Sequence, residues 1–178
     1  MLGKLLIAHP LLNDGFFNRS VICIASHTDE ESIGLILNFK TNYKLRDFRP
    51  ELNNGNFPIY EGGPVSKNQL FFLHTLGKEL TNSMPIKNNI YFGGDYNQLL
   101  HLINHNKVSQ KQVRFFVGYC GWGAEQLIDE IKRKSWYLNS PKDIQFNNDE
   151  TELWSTKLGE EKSSLKIFGE VGHDIYLN

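Results

Sequence analysis

Cysteine is scarce in this sequence. Only Cys23 and Cys120 occur in 178 residues, both inside apolar runs. Neither has a metal-binding or disulfide-framework spacing, so buried, reduced thiols are expected. They would pair only if their strands lay side by side. Long apolar runs are missing too. Nothing approaches the ~18 residues of a membrane-spanning helix, so no membrane role is expected. The opening "MLGKLLIAHPLL" holds one lysine and is broken by Pro10, Asn13 and Asp14, with no small-residue cleavage site after it. It reads as a first strand, not as a signal peptide. With the two buried thiols, this points to the cytoplasm. Positive charge is not in surplus: 19 Lys and Arg face 20 Asp and Glu, for a net charge of -1. A duplex-binding surface displaces counterions with excess Lys and Arg, so nucleic acid is not the expected partner.

The chemistry-bearing motifs are equally sparse. His101 and His105 stand four apart but lack H-E-x-x-H and a third ligand, so no metal is expected. No glycine-rich phosphate motif fits, so no cofactor is expected. No complete catalytic constellation is visible. We assign no catalytic residue, and the reading leans away from an enzyme.

What remains is an ordinary globular composition, 40% hydrophobic and 22% charged, long enough for a substantial core in one domain, 1–178. Residues 3–8, 20–26, 33–39, 69–76, 90–94 and 113–119 read as strands, with a strand end and turn at 58–66. The stretch 40–56 reads as a short helix within a loop or as an irregular excursion, and 78–89 as a loop. Asp95 opens a helix, with Gln98 at capping-box spacing and Leu99, Leu100, Leu102 and Ile103 on one face. A second helix is expected over 124–134, with Asp129–Arg133 and Glu130–Lys134 as acid-before-base pairs. A third is expected over 150–158, capped by Asp149 and closed by Gly159, followed by an extended segment at 164–171. Strands outnumber helices and connections are mixed, which argues α+β or a mixed sheet.

The stretch "GYCGWG" (118–123) is the candidate site. It reads as a strand-to-helix corner, where glycines permit close backbone approach and helix amides face outward. Packing of Tyr119 and Trp122 around a tight bend explains it without any ligand. A nucleophile elbow at Cys120 fails on spacing, because its second glycine falls at Trp122. Near the N-terminus, Asp14 and Arg19 flank "GFFN". They form either an ion pair that clamps the turn or an anion grip through the guanidinium. His9, His27 and His74 each end or interrupt an apolar strand.

Taken in order, "GKLLIAHPLLNDGFFNRSVICIASH" (3–27), "GLILN" (34–38), "EGGPV" (61–65), "LHT" (73–75) and "GYCGWGAEQLIDEI" (118–131) with Trp136 resemble the bacterial AlgH/YqgE-like family. The resemblance covers about three quarters of the chain. It implies an α+β fold: a mixed, bifurcated β-sheet curled into a pseudo-barrel, with helices packed outside. The family's transcriptional-regulator label traces to a genetic association and names no chemistry. Asp14, Phe17, Arg19, Ser20, His27, Asn38, Gly62, Gly63, Pro64, His74, Gly118, Tyr119, Gly121, Trp122, Gln126 and Leu127 match the family's motifs. This chain departs from them at Phe39-Lys40, where Arg-Pro is usual, at Cys120, where a small residue is common, and at Ala124-Glu125, where Pro-Gly is usual. The end "GHDIYLN" echoes the family only loosely.

Two functions follow as expectations. The first is a non-enzymatic regulatory or interaction protein. The second is a small-molecule or anion-binding protein, or an enzyme, with its site at the 118–126 corner. The partner is then an unknown protein or a small anionic ligand. Candidate ligand or partner residues are Arg19, His27, Asn38, Gly62, Gly63, His74, Tyr119, Gly121, Trp122 and Gln126.

Overall fold

A computed structural model describes residues 1–12, 14–142, 144, 146 and 152–161. Strand residues alternate between two faces, so a strand covered on both sides must be apolar throughout. That is the case for β1 (Leu5–Ala8) and for the first five residues of β2 (Val21–His27), which are buried at every position. Leu5, Val21, Cys23 and, from β3 (Glu31–Ile36), Leu35 face one core. Leu6, Ile22, Ile24 and Ile36 face another.

Among the described residues, ten strands form one sheet. The remaining strands are β4 (Lys40–Lys44), β5 (Pro58–Glu61), β6 (Val65–His74), β7 (Met84–Lys87), β8 (Ile90–Phe92), β9 (Val113–Gly123) and β10 (Trp136–Asn139). The main path runs β10-β1-β2-β3-β9-β6-β8-β7 and is antiparallel. β5 joins β9 in parallel and carries β4 on its other side. The sheet is therefore mixed, and it forks at β9. One flank of β9 pairs with β6 for most of its length. The other flank is shared: residues 115–117 pair with β5 and residues 120–123 with β3.

Glycines make the fork possible. The Gly62 amide donates to the Val117 carbonyl, and the Gly62 carbonyl accepts from the Ile36 amide, so this residue stitches β9 to the departing end of β3. A Cβ on Gly62 would lie 2.1 Å from the Gly118 carbonyl oxygen. Gly118 has φ +70°, open to glycine at little steric cost. Beside it the ladder with β6 changes register. The consequence is a slip in alternation. Val113, Phe115 and Val117 face the second helix's core, but beyond Gly118 it is Cys120 and Trp122 that face outward. One strand thus serves both halves of the sheet.

The sheet curls without closing. A Cβ on Gly3, just before β1, would sit 2.6 Å from Cβ of Lys87 in β7, and Asn88 donates its side-chain amide to the Lys142 carbonyl beyond β10. The two ends of the strand path thus approach, with no ladder between them among the described residues. Inside the curl lies the first core, including Leu73, Phe92 and Phe116. Arg114 is buried there at 4% exposure. It donates to the carbonyls of Leu37 and Phe146, each at 2.6 Å, and lies 4.2 Å from the Tyr60 ring centroid.

Helices pack outside. α1 (Leu45–Phe48) and α2 (Tyr96–Asn104) cover the half containing β5, β6 and the start of β9, with Leu45, Leu99, Leu100 and Ile103 buried. α3 (Gln126–Lys132) covers the other half through Leu127. α4 (152–161) differs: its Leu153 reaches the inner core, and its half-buried Trp154 indole donates to the Ala8 carbonyl at 2.8 Å. Burying one leucine such as Leu99 or Leu127 is worth roughly 1.5–3 kcal/mol, so both outer faces contribute substantially to stability.

The expected fold class holds, and several elements differ from the sequence reading. β9 does not stop at 119; it continues as strand to Gly123, and the corner is Ala124–Glu125. Asp95 caps α2 by accepting from the Gln98 amide at 2.9 Å, as expected. The Gln98 side chain does not complete the box. It binds Thr81 and the Glu79 carbonyl, tying α2 to the preceding loop. The 40–56 and 78–89 stretches contain strands β4 and β7. Gly159 does not end the last helix, which runs on to 161. α3 ends at Lys132, with Lys134 at φ +61°, so Asp129 pairs with Lys132 at 3.4 Å rather than with Arg133. The cap at Asp149 and the 164–171 segment lie outside the described residues.

Candidate functional site

A pocket of about 350 Å³ opens between the 14–17 turn, Pro64–Val65, the end of β9, α3 and the start of β10. Each wall has a local cause. Asp14 Oδ1 accepts from the Phe16 and Phe17 amides at 2.8 and 3.2 Å, which fixes the turn. The turn sets the Phe17 ring edge-on to Trp136, 5.7 Å between centroids. Trp122 and Trp136 meet nearly perpendicular at 6.3 Å.

α3 supplies the polar centre. Gln126 and Glu130 are four apart and share a helix face. Glu130 Oε2 accepts from both indoles, at 2.9 Å from Trp122 and 2.8 Å from Trp136. Its Oε1 accepts from Gln126 Nε2 at 2.9 Å. Gln126 Oε1 in turn accepts from the Gly123 amide at 3.3 Å. Three side-chain donors thus hold one carboxylate in a fixed orientation. Among the described residues, the charged side chains lining the pocket are Asp14 and Glu130, and no lysine or arginine lines it.

Cys120 also lines the pocket, but its thiol is 1% exposed and donates to the Gly62 carbonyl at 3.3 Å. Burial, and then the nearby Glu61 carboxylate, push the thiol well above the ordinary cysteine range. The nucleophilic form is the thiolate, which this environment suppresses. Cys23 lies in the inner core, where burial raises its thiol to about 12.

Gly121, Trp122 and Gln126 come together in this pocket. The other expected site residues lie elsewhere, each with a structural task. Arg19 is exposed with φ +58°, and its guanidinium carbon lies 5.6 Å from the Trp154 ring centroid. Asp14 spends its carboxylate on the turn rather than on Arg19. Asn38 accepts from the Val21 amide at 2.8 Å and donates to the Arg19 carbonyl at 2.9 Å, pinning the entry to β2. His27 is exposed and bonded to the Ser32 hydroxyl at 2.8 Å. His74 is fully buried. The Leu76 amide donates to its Nδ1, which leaves Nε2–H to donate to the Gly93 carbonyl at 2.9 Å. Burial lowers its pKa below the usual histidine range, partly opposed by the Gly93 hydrogen bond. Tyr119 packs edge-on to Phe71 beside the inner core, and Gly62 and Gly63 belong to the fork.

Glu130 is the residue the sequence reading missed. Its only visible signal was an expected pairing with Lys134. Among the described residues, no group of three His, Cys, Asp or Glu side chains is placed to hold a metal, and no helix is long and apolar enough to cross a membrane.

The AlgH-like family pattern, DUF179, matches residues 5–166. A UPF0301 protein of Parabacteroides distasonis is 37% identical over 179 residues, covering 99% of this chain and 90% of that protein. One from Bacteroides fragilis is 37% identical over 159 residues, covering 88% and 81%. The solution structure of AlgH from Pseudomonas aeruginosa superposes with a TM-score of 0.72 at 24% identity, covering 88% of this chain and 86% of that one. The crystal structure of DIP2367 from Corynebacterium diphtheriae gives 0.64 at 20% identity, covering 78% and 74%. At those identities the two structures speak for the fold alone. The chain belongs to the AlgH-like family.

Proposed function

We propose that this is a non-enzymatic interaction protein of regulatory type, acting in the cytoplasm, and that it receives a protein partner in the pocket between Phe17, Trp136 and α3. The observation that carries this reading is the carboxylate of Glu130, fixed by two indoles and one amide in a concave, aromatic wall. Preset aromatic anchors around a few oriented polar groups are what protein interfaces use. Nucleophilic catalysis needs more than this: an activated nucleophile with a base within reach of it. The one thiol in the wall is held protonated by burial, and His27 and His74 are engaged elsewhere.

A second reading has one observation in its favour. The pocket's volume falls within the range of about 300–1,000 Å³ typical of small-molecule sites. A free ligand would then take the same walls.

Photo-crosslinking separates the readings. A benzophenone amino acid replaces Val65, exposed at the pocket rim and outside the Glu130 network, or Lys107, on the exposed loop after α2, as the control. The interaction reading predicts a discrete protein adduct from position 65 and none from 107 in living cells. Equal adducts from both positions, or none from either, would contradict it.

A further inference from the structure

We infer that the pocket accepts a cationic side chain, an arginine carried by the protein partner; this rests on the interaction reading above. Three observations lead there. First, among the described residues the charges that line the pocket are both negative, Asp14 and Glu130. An anion would meet two carboxylates there and no described cation, so charge complementarity selects a positive occupant.

Second, the carboxylates have unspent acceptor capacity. A carboxylate offers about four lone-pair sites. Among the described residues, Asp14 uses only Oδ1, for the Phe16 and Phe17 amides. Glu130 uses Oε2 twice and Oε1 once, all on neutral donors. Each therefore keeps acceptor sites for a further donor.

Third, the partly buried charge on Glu130 is already oriented. Three neutral donors hold the carboxylate in a wall of 4–5% exposed tryptophans, and none of them neutralises its charge. A guanidinium supplies an opposite charge. Its planar fork offers five N–H donors for the open acceptor sites, and its flat face suits the Phe17 ring. Lysine provides a single point charge with three donors and fits less well.

The test reads the three indole N–H signals of the isotope-labelled protein by NMR. Trp122 and Trp136 sit in the pocket, while Trp154 bonds Ala8 and serves as the internal control. The probes are the capped tripeptide Gly-Arg-Gly, its citrulline and lysine counterparts, and n-propylguanidine. The arginine peptide should shift the Trp122 and Trp136 signals saturably, leave Trp154 unmoved, and bind at least tenfold more tightly than citrulline. Glu130→Gln and, separately, Asp14→Asn should each erase most of that preference. Both replacements keep a carbonyl acceptor, so the indoles and the turn remain held.

Equal binding of arginine and citrulline peptides would overturn the cationic occupant and leave the pocket as an interaction site. No saturable shift with any probe, alongside a persistent crosslink at position 65, would do the same. Binding of n-propylguanidine as tight as the peptide's would overturn the protein partner as source and point to a free small cation. Loss of the crosslink itself would remove the underlying reading.

Discussion

Gly62 stands so close to Gly118 that a β-carbon on the first would lie 2.1 Å from the carbonyl oxygen of the second. The obstacle is backbone, which cannot step aside as a side chain tip can. The contact lies where β3 leaves β9 and β5 takes its place. Gly62→Ala should therefore cost about 3 kcal/mol or more, the upper end of overpacking. For a chain of this size that lowers Tm by roughly 6–12 °C. Thermal unfolding checks it; a wild-type Tm would show that the fork is not held by this contact.

His74 ties stability to pH. Its folded pKa is lowered, chiefly by burial, so the unfolded chain binds the proton more readily. Where the unfolded state holds more protons, stability rises with pH. Above the ordinary histidine value of about 6.5 this group contributes no slope. As pH falls through that value toward the lower folded pKa, stability is lost progressively. Urea unfolding between pH 5 and 8 should show that decline, and His74→Gln should flatten it. An unchanged slope in the variant would place the pH dependence elsewhere.

The thiols should be silent. Cys120 and Cys23 are both buried, and burial raises both pKa values. A thiol reagent at pH 8 should label neither in the folded protein within minutes, and both once it is unfolded in denaturant. Rapid, stoichiometric labelling of Cys120 in the folded state would reopen a nucleophilic role for it.

The sequence made some of this legible and hid the rest for physical reasons. α2 could be read because its signals are local: Asp95 caps it, and its apolar residues share one face. The two-sided burial of β1 and β2 was legible as continuous apolar runs. β4 and β7 were not, because short polar strands owe their form to a neighbour rather than to their own side chains. "GYCGWG" misled for a related reason. Glycine marks both turns and close backbone approaches, and here it marks the fork and a slip in alternation within one strand. At the site, Gly121, Trp122 and Gln126 were found from the motif. Glu130 was not, because its partners Trp122 and Trp136 lie on different strands and meet only after the sheet forms. Arg19, His27 and His74 were grouped with the site on their chemical type and their match to the family's motifs, and the topology sends each to a different place.

The most direct measurement of the account removes one wall of the pocket without touching the fork. Phe17 lines the pocket with its ring edge-on to Trp136, 5.7 Å between centroids. It is half-buried, so Phe17→Ala should cost less than the ~3–5 kcal/mol of a fully buried phenylalanine. Its crosslink yield from position 65 is then compared with that of the parent. The account predicts a folded protein whose adduct disappears. A folded protein that forms the adduct at full yield would contradict it, because its partner would be binding somewhere else.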